Sequence, residues 1–132
     1  MFKDPQSAED QYYDAFDEHD LDKIMQVWAN TDEVVCLLPM LPAIKGRASI
    51  RKAFEPLLRA GSQFEIQITH LHWIETETIA IHLVQETIKS AGAPDQGVYA
   101  TNVYQKNADG NWFMTLHQTS PVPMAPPTHT VD

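Results

Sequence analysis

The sequence predicts an α+β domain in which three helices precede a meander of four long strands. Three observations carry that assignment. Apolar residues recur at helical spacing up to about Gly61, they alternate one-in-two through most of the remaining chain, and both regimes are punctuated by Gly, Pro and Asn–Asp signals. With 132 residues, 43% of them hydrophobic, the chain has the length of one ordinary domain and can fill a core without disulfides. Helices followed by strands is the α+β order, distinct from the alternation that builds a parallel sheet.

Taken in order, Ala8, Tyr12, Ala15, Phe16 and His19 mark a first helix from about Ser7 to His19. Asp20 caps a second, with Leu21, Ile24, Met25 and Trp28 on one apolar face. Val34 to Leu38 reads as a short buried strand stopped by Pro39 and Pro42. Ile50, Ala53, Phe54, Leu57 and Leu58 line a third helix after Gly46. Pro56 is expected to kink its last turn or end it early, and Gly61 to stop it. Phe64–Ile74 and Thr78–Ile88 alternate as strands around a turn at Glu75–Glu77. After a polar loop over Ser90–Gly97, Val98–Lys106 and Trp112–Thr119 form a hairpin whose turn contains Asp109–Gly110. Helices laid over one face of a strongly curved sheet leave a pocket between them. Residues 1–120 make this domain. Residues 121–132, with four prolines between Pro121 and Pro127, make a tail that cannot extend a sheet.

The formal charge is -9, and acidic residues crowd Asp4 to Glu33 beside only Lys3 and Lys23. Such a chain repels phosphate backbones, so nucleic acid is excluded as a partner, and the acidic run reads as solvated helix faces. No apolar run approaches the ~20 residues that span a bilayer, and no apolar segment follows Met1. The expectation is a cytoplasmic protein without a membrane partner. Cys36, the only cysteine, lies between Val35 and Leu37 and reads as a small buried hydrophobe. His70 and His72, two apart on one strand, share a face in regular geometry and His82 lies on the next strand. Three imidazoles could hold zinc, but that face begins with Phe64, Ile66 and Ile68 and offers no obvious second ligand. Surface or dimer-interface histidines are the expectation, with no metal and no cofactor.

Several stretches carry a resemblance: Asp20-Leu21-Asp22 after an aromatic helix, Trp28, a strand ending at Pro39, and Gly46-Arg47-Ala48-Ser49-Ile50. The end adds Thr101-Asn102-Val103-Tyr104, a Gly-bearing turn, Trp112, His117 and Ser120-Pro121. From about Ser7 to Pro121 the chain resembles ketosteroid isomerase and the SnoaL-like branch of the nuclear transport factor 2-like superfamily. The resemblance implies a cystatin-like α+β cone, open at one end, with a homodimer formed through the outer face of the sheet.

Ketosteroid isomerases use an aspartate base just before the proline, and an oxyanion hole made by a first-helix tyrosine and a protonated aspartate. The resemblance puts Tyr12 at the tyrosine position and Asn102 at the oxyanion aspartate, both able to donate to a carbonyl. At the base position stands Leu38, which cannot accept a proton, so steroid isomerisation as such is not expected. Period two in the last strand puts Phe113, Thr115, His117 and Thr119 on one face. The resemblance turns that face toward the cavity, where His117 could serve as acid or base. Tyr12, Asn102 and His117 are thus the candidate catalytic residues. Phe16, Trp28, Leu38, Met40, Phe54, Leu58, Tyr104, Phe113 and Thr115 are the candidate pocket walls.

Two functions stay open. One is binding of a small hydrophobic molecule with isomerase, cyclase or dehydratase chemistry on a carbonyl compound. The other is a non-catalytic dimeric ligand- or protein-binding module.

Overall fold

A computed structural model describes residues 1–59 and 64–123 of the chain. Helix α1 spans Pro5–Asp17; the Asp4 side chain accepts from the Ser7 amide at 2.7 Å, and Pro5 opens the first turn. That Asp–Pro start signal begins the helix two residues ahead of the Ser7 expected from the apolar stripe. His19 lies past the end, at φ 55, and does not extend it. Asp20 then caps α2, Leu21–Val27, by accepting from the Lys23 amide at 3.1 Å. Strand β1 is Val35–Leu37 and β2 is Ile44–Lys45, a short partner for β1 that the sequence does not announce. Helix α3, Arg47–Arg59, contains Pro56 and runs on through it. The expected stop at Gly61 lies outside the described residues.

Four long strands follow among the described residues: β3 Phe64–Glu75, β4 Ile79–Ser90, β5 Gln96–Lys106 and β6 Trp112–Pro121. They form one curved, unclosed sheet in the order β2-β1-β6-β5-β4-β3. All neighbours are antiparallel except β1 and β6, which run parallel with Cys36 opposite His117. Pro121 closes β6 opposite Val98, so the sheet admits one proline of the expected tail at its last position; residues 124–132 lie outside the described part. The helices cover one face, burying Ala8, Tyr12, Phe16, Ile24, Trp28 and Phe54 against Cys36, Val84, Ala100 and Met114. No helix is long and apolar enough to cross a membrane among the described residues.

Two bulges break the alternation. His70 pairs with Val84 and His72 with Leu83, so Leu71 is an extra residue in β3. Val103 pairs with Leu116 and Tyr104 with Met114, so Thr115 is an extra residue in β6. Each insertion moves every later side chain to the opposite face. His70 and His72 therefore do not share a face. Phe113 does not share one with His117 either: Trp112 and Met114 are buried before the bulge, His117 and Thr119 after it.

Candidate active site

Between α1, α3 and the inner face of the sheet lies a cavity of about 510 Å³. Its wall is mostly apolar, with Phe16, Leu38, Phe54, Phe64, Ile66 and Val98 prominent, and among the described residues no lysine or arginine lines it. Four polar side chains of this wall are buried: Tyr12 on α1, Glu86 on β4, and His117 and Thr119 on β6. Their placement is set by the pleat. Ala80, His82, Val84 and Glu86 alternate inward along β4, and the bulge at Thr115 sets His117 in phase with them.

Glu86 is a buried titratable group of the cavity wall that sequence reasoning misses. The Tyr13 hydroxyl donates to its Oε2 at 2.7 Å, and His117 Nε2 lies 3.9 Å from the same oxygen. Burial pushes its carboxyl up to about 7, reinforced by the charge of Glu9 and partly opposed by Tyr13. His117 moves the other way: burial pushes it down to about 4, so its ring is neutral at pH 7. The Tyr12 ring lies 5.2 Å from that of His117, and its hydroxyl is buried with no hydrogen-bond partner. Cys36 is buried, and desolvation raises its thiol to about 12, as an inert core residue requires.

Behind this end of the cavity sits a second polar group, centred on Glu9 of α1, which is 1% exposed. Its Oε2 accepts from Tyr104 Oη at 2.9 Å and Asn102 Nδ2 at 3.3 Å, and lies 3.0 Å from His82 Nδ1; its Oε1 lies 2.7 Å from His70 Nε2. Burial alone would raise Glu9. The hydrogen bonds of His82 and His70, the charge of His82 and the Tyr104 hydroxyl together hold it below its ordinary value. His82 Nε2 also meets Glu75 at 3.2 Å, and Trp73 stacks on its ring at 4.2 Å. Far from being a surface histidine, His82 is 0% exposed. Among the described residues no cluster of metal-ligating side chains is present.

The residues singled out in the sequence separate accordingly. Tyr12, His117, Phe16, Leu38 and Phe54 line the cavity. Asn102 does not; it is buried behind His117, with its amide nitrogen on Glu9 and Tyr13 and its oxygen on His117 Nδ1. Trp28, Leu58 and Tyr104 are buried elsewhere in the core, Tyr104 because its hydroxyl is drawn to Glu9. The bulge at Thr115 takes Phe113 and Thr115 out of phase with His117. Met40, in the turn after β1 with φ 63, is 100% exposed and walls nothing. Glu9 hides among the acids of α1, yet it falls four residues before Tyr13 and seven before Phe16, beside the apolar stripe. Glu86 is an acid in phase with Ala80 and Val84. Those phases are the signals the sequence carries for the two glutamates.

Residues 6–125 match the SnoaL-like domain family. Among curated proteins none matches the chain. Of solved structures, one provisionally assigned as a calcium/calmodulin-dependent protein kinase type II association domain, from Thiobacillus denitrificans, is 36% identical. It superposes with a TM-score of 0.86 over 93% of this chain and 98% of its own. A provisionally assigned dehydratase of the NTF2-like family from Streptomyces avermitilis is 24% identical (TM-score 0.78, 90% and 94% covered). A ketosteroid isomerase-like protein from Erwinia carotovora atroseptica is 17% identical (TM-score 0.72, 90% and 94% covered). These last two share the fold. By its family match, which spans most of its length, the chain belongs to the SnoaL-like domain family.

Proposed function

We propose that the cavity binds a small, uncharged, mostly apolar carbonyl compound and that Glu86 moves a proton on it, in isomerase- or dehydratase-type chemistry. One observation carries this reading: a carboxyl held at about 7 stands in a mostly apolar cavity beside a neutral imidazole. A general base works best when its pKa lies near the working pH. The carboxylate absent at Leu38 is thus supplied from β4. Tyr12 is the donor for the carbonyl oxygen, because a ligand acceptor would satisfy its unpartnered hydroxyl. In the enolisation step the Glu86 carboxylate takes a proton from the carbon beside the carbonyl, the C–H electrons form the enolate double bond, and Tyr12 donates to the oxygen. Return of the proton from Glu86 to another carbon gives isomerisation, and to a departing hydroxyl gives water. A wall with no cation among the described residues disfavours carboxylate and phosphate ligands.

The test needs no knowledge of the natural substrate. In D₂O, an uncharged cyclic enone or ketone is expected to exchange its α-hydrogens for deuterium faster with the protein than without it, by NMR. The rate is expected to rise with pH through about 7, as Glu86 ionises. Glu86→Gln should lower the catalysed rate by ~10²-fold or more, and Tyr12→Phe by about tenfold. Equal exchange by the parent and Glu86→Gln would refute catalysis by Glu86.

A second reading, a non-catalytic association module, draws on the printed description of the 36% identical relative as an association domain. It also draws on the outer face of the sheet, where Leu71, Ile74, Ile79 and Tyr99 are between 39% and 50% exposed. We infer a homodimer through this face under either reading; sedimentation of the full chain at micromolar concentration tests it, and a monomer throughout rejects it.

A further inference from the structure

We propose that Glu9 is a positioning residue: acting through Asn102, it fixes the tautomer of His117 so that an unprotonated Nε2 faces Glu86. The inference rests on the cavity reading for its purpose, but its physical content is a polarity of hydrogen bonds that stands apart from any reaction.

The direction of each bond is dictated by what its atoms can do. Glu9 is held as a carboxylate, and a carboxylate only accepts. The Asn102 group 3.3 Å from Glu9 Oε2 must therefore be its amide nitrogen. The second hydrogen of that nitrogen goes to the Tyr13 oxygen at 2.9 Å, and Tyr13 in turn donates to Glu86. With both hydrogens engaged, the Asn102 oxygen is turned toward His117 Nδ1, 2.5 Å away. An oxygen there requires a hydrogen on Nδ1. The neutral ring then has its lone pair on Nε2, which lies 3.9 Å from Glu86 Oε2. Flipping the amide would set its oxygen against the Glu9 carboxylate and its nitrogen against an Nδ1 lone pair. The buried charge of Glu9 opposes that flip.

The surroundings add no competing control of Asn102. Its nearest strand neighbours are His82 across β4 and His117 across β6. Of these, His82 turns its Nδ1 to Glu9 and its Nε2 to Glu75, not to the amide. Tyr104 is likewise committed to Glu9. Asn102 also bars proton traffic, since an amide passes none readily: a proton on Glu86 or His117 stays in the cavity. The result is a cavity that presents one lone pair at His117 and one exchangeable proton at Glu86, matched to a ligand with a hydroxyl or enol hydrogen beside its carbonyl.

The tautomer can be read directly. In a long-range ¹H–¹⁵N spectrum of the full chain labelled with ¹⁵N-histidine, His117 is assigned by the signal missing in His117→Gln. At pH 7 it is expected to be Nδ1-protonated, whereas histidine in water favours Nε2–H. An Nε2-protonated His117 in the parent would overturn the proposal. Glu9→Gln retains an oxygen for Asn102 and is expected to keep the parent tautomer. Glu9→Leu removes that oxygen and is expected to give a mixture or Nε2–H; unchanged Nδ1–H there would also overturn it. If Glu9→Leu does not fold, Glu9→Asp, which withdraws the oxygen by one methylene, carries the same two outcomes. All spectra are taken without ligand, so failure of deuterium exchange in the enone experiment leaves this result standing, and the reverse holds as well.

Discussion

Glu9 and Glu86 are both carboxylates buried under the same helix layer, 1% and 6% exposed, and their pKa values are displaced in opposite directions. Glu9 meets four side chains, two of them imidazoles. Glu86 has the Tyr13 hydroxyl within hydrogen-bond distance and an imidazole nitrogen 3.9 Å away, beyond it. Burial penalises charge at both sites; the number of donors decides which carboxyl keeps it. The saturated site is a structural node and the under-served site is the one proposed to be reactive, which makes the contrast between them experimentally accessible.

The largest effect is expected at the node. Glu9→Ala strands the hydroxyl of Tyr104, the amide of Asn102 and the ring of His82 without their common acceptor. Breaking a buried charged network of this kind costs about 3–5 kcal/mol, measurable by urea denaturation at pH 7. A loss below about 1 kcal/mol would dissolve the distinction between the two carboxylates. Glu86 should show the opposite sign. A carboxyl raised from 4.5 to about 7 favours folding in its protonated form, so its contribution is intact below pH 4.5 and is lost as pH rises through 7. At about 1.4 kcal/mol per pH unit, the folded state is roughly 3 kcal/mol worse off above pH 7. Glu86→Gln is therefore expected to melt above the parent at pH 8 and no higher at pH 4.5; a lower melting temperature at pH 8 would show Glu86 charged and satisfied. The smallest effect is a control outside both sites. Met40 has φ 63 and is fully exposed, so Met40→Gly is expected to stabilise by a few tenths to about 1 kcal/mol. It should leave deuterium exchange untouched.

The architecture is legible in the sequence because it depends on averages over many residues. Spacing in α1 and α3 and alternation in β3 to β6 give the element order, and no single misplaced side chain can erase such a signal. The site depends on parity and on individual partners, which averaging hides. Extrapolating period two from Phe113 to His117 gives His117 its correct face and Phe113 the wrong one, because the odd residue at Thr115 lies between them. The same arithmetic fails from His70 to His72 across Leu71. Tyr13 is not among the candidates read from the sequence, yet its hydroxyl reaches Glu86. Asn102 is a buried donor, as its position suggests, but the group it serves is Glu9 rather than a ligand. One glutamate among many on an acidic helix carries no mark of burial beyond its phase.

The parallel pairing of β1 with β6 couples residues about eighty positions apart, Val35 to Leu116 and Leu37 to Gln118. Thr119 clamps the junction by donating to the Leu37 carbonyl at 3.3 Å. Leu38 and Pro39, which come directly after β1, depend on that seam for their place in the cavity wall. A nascent chain emerging from the ribosome can therefore assemble helices and central hairpin early, but its cavity stays unfinished until β6 arrives. The cavity is in this sense completed later than the helices and the central hairpin, and it opens when β6 peels away.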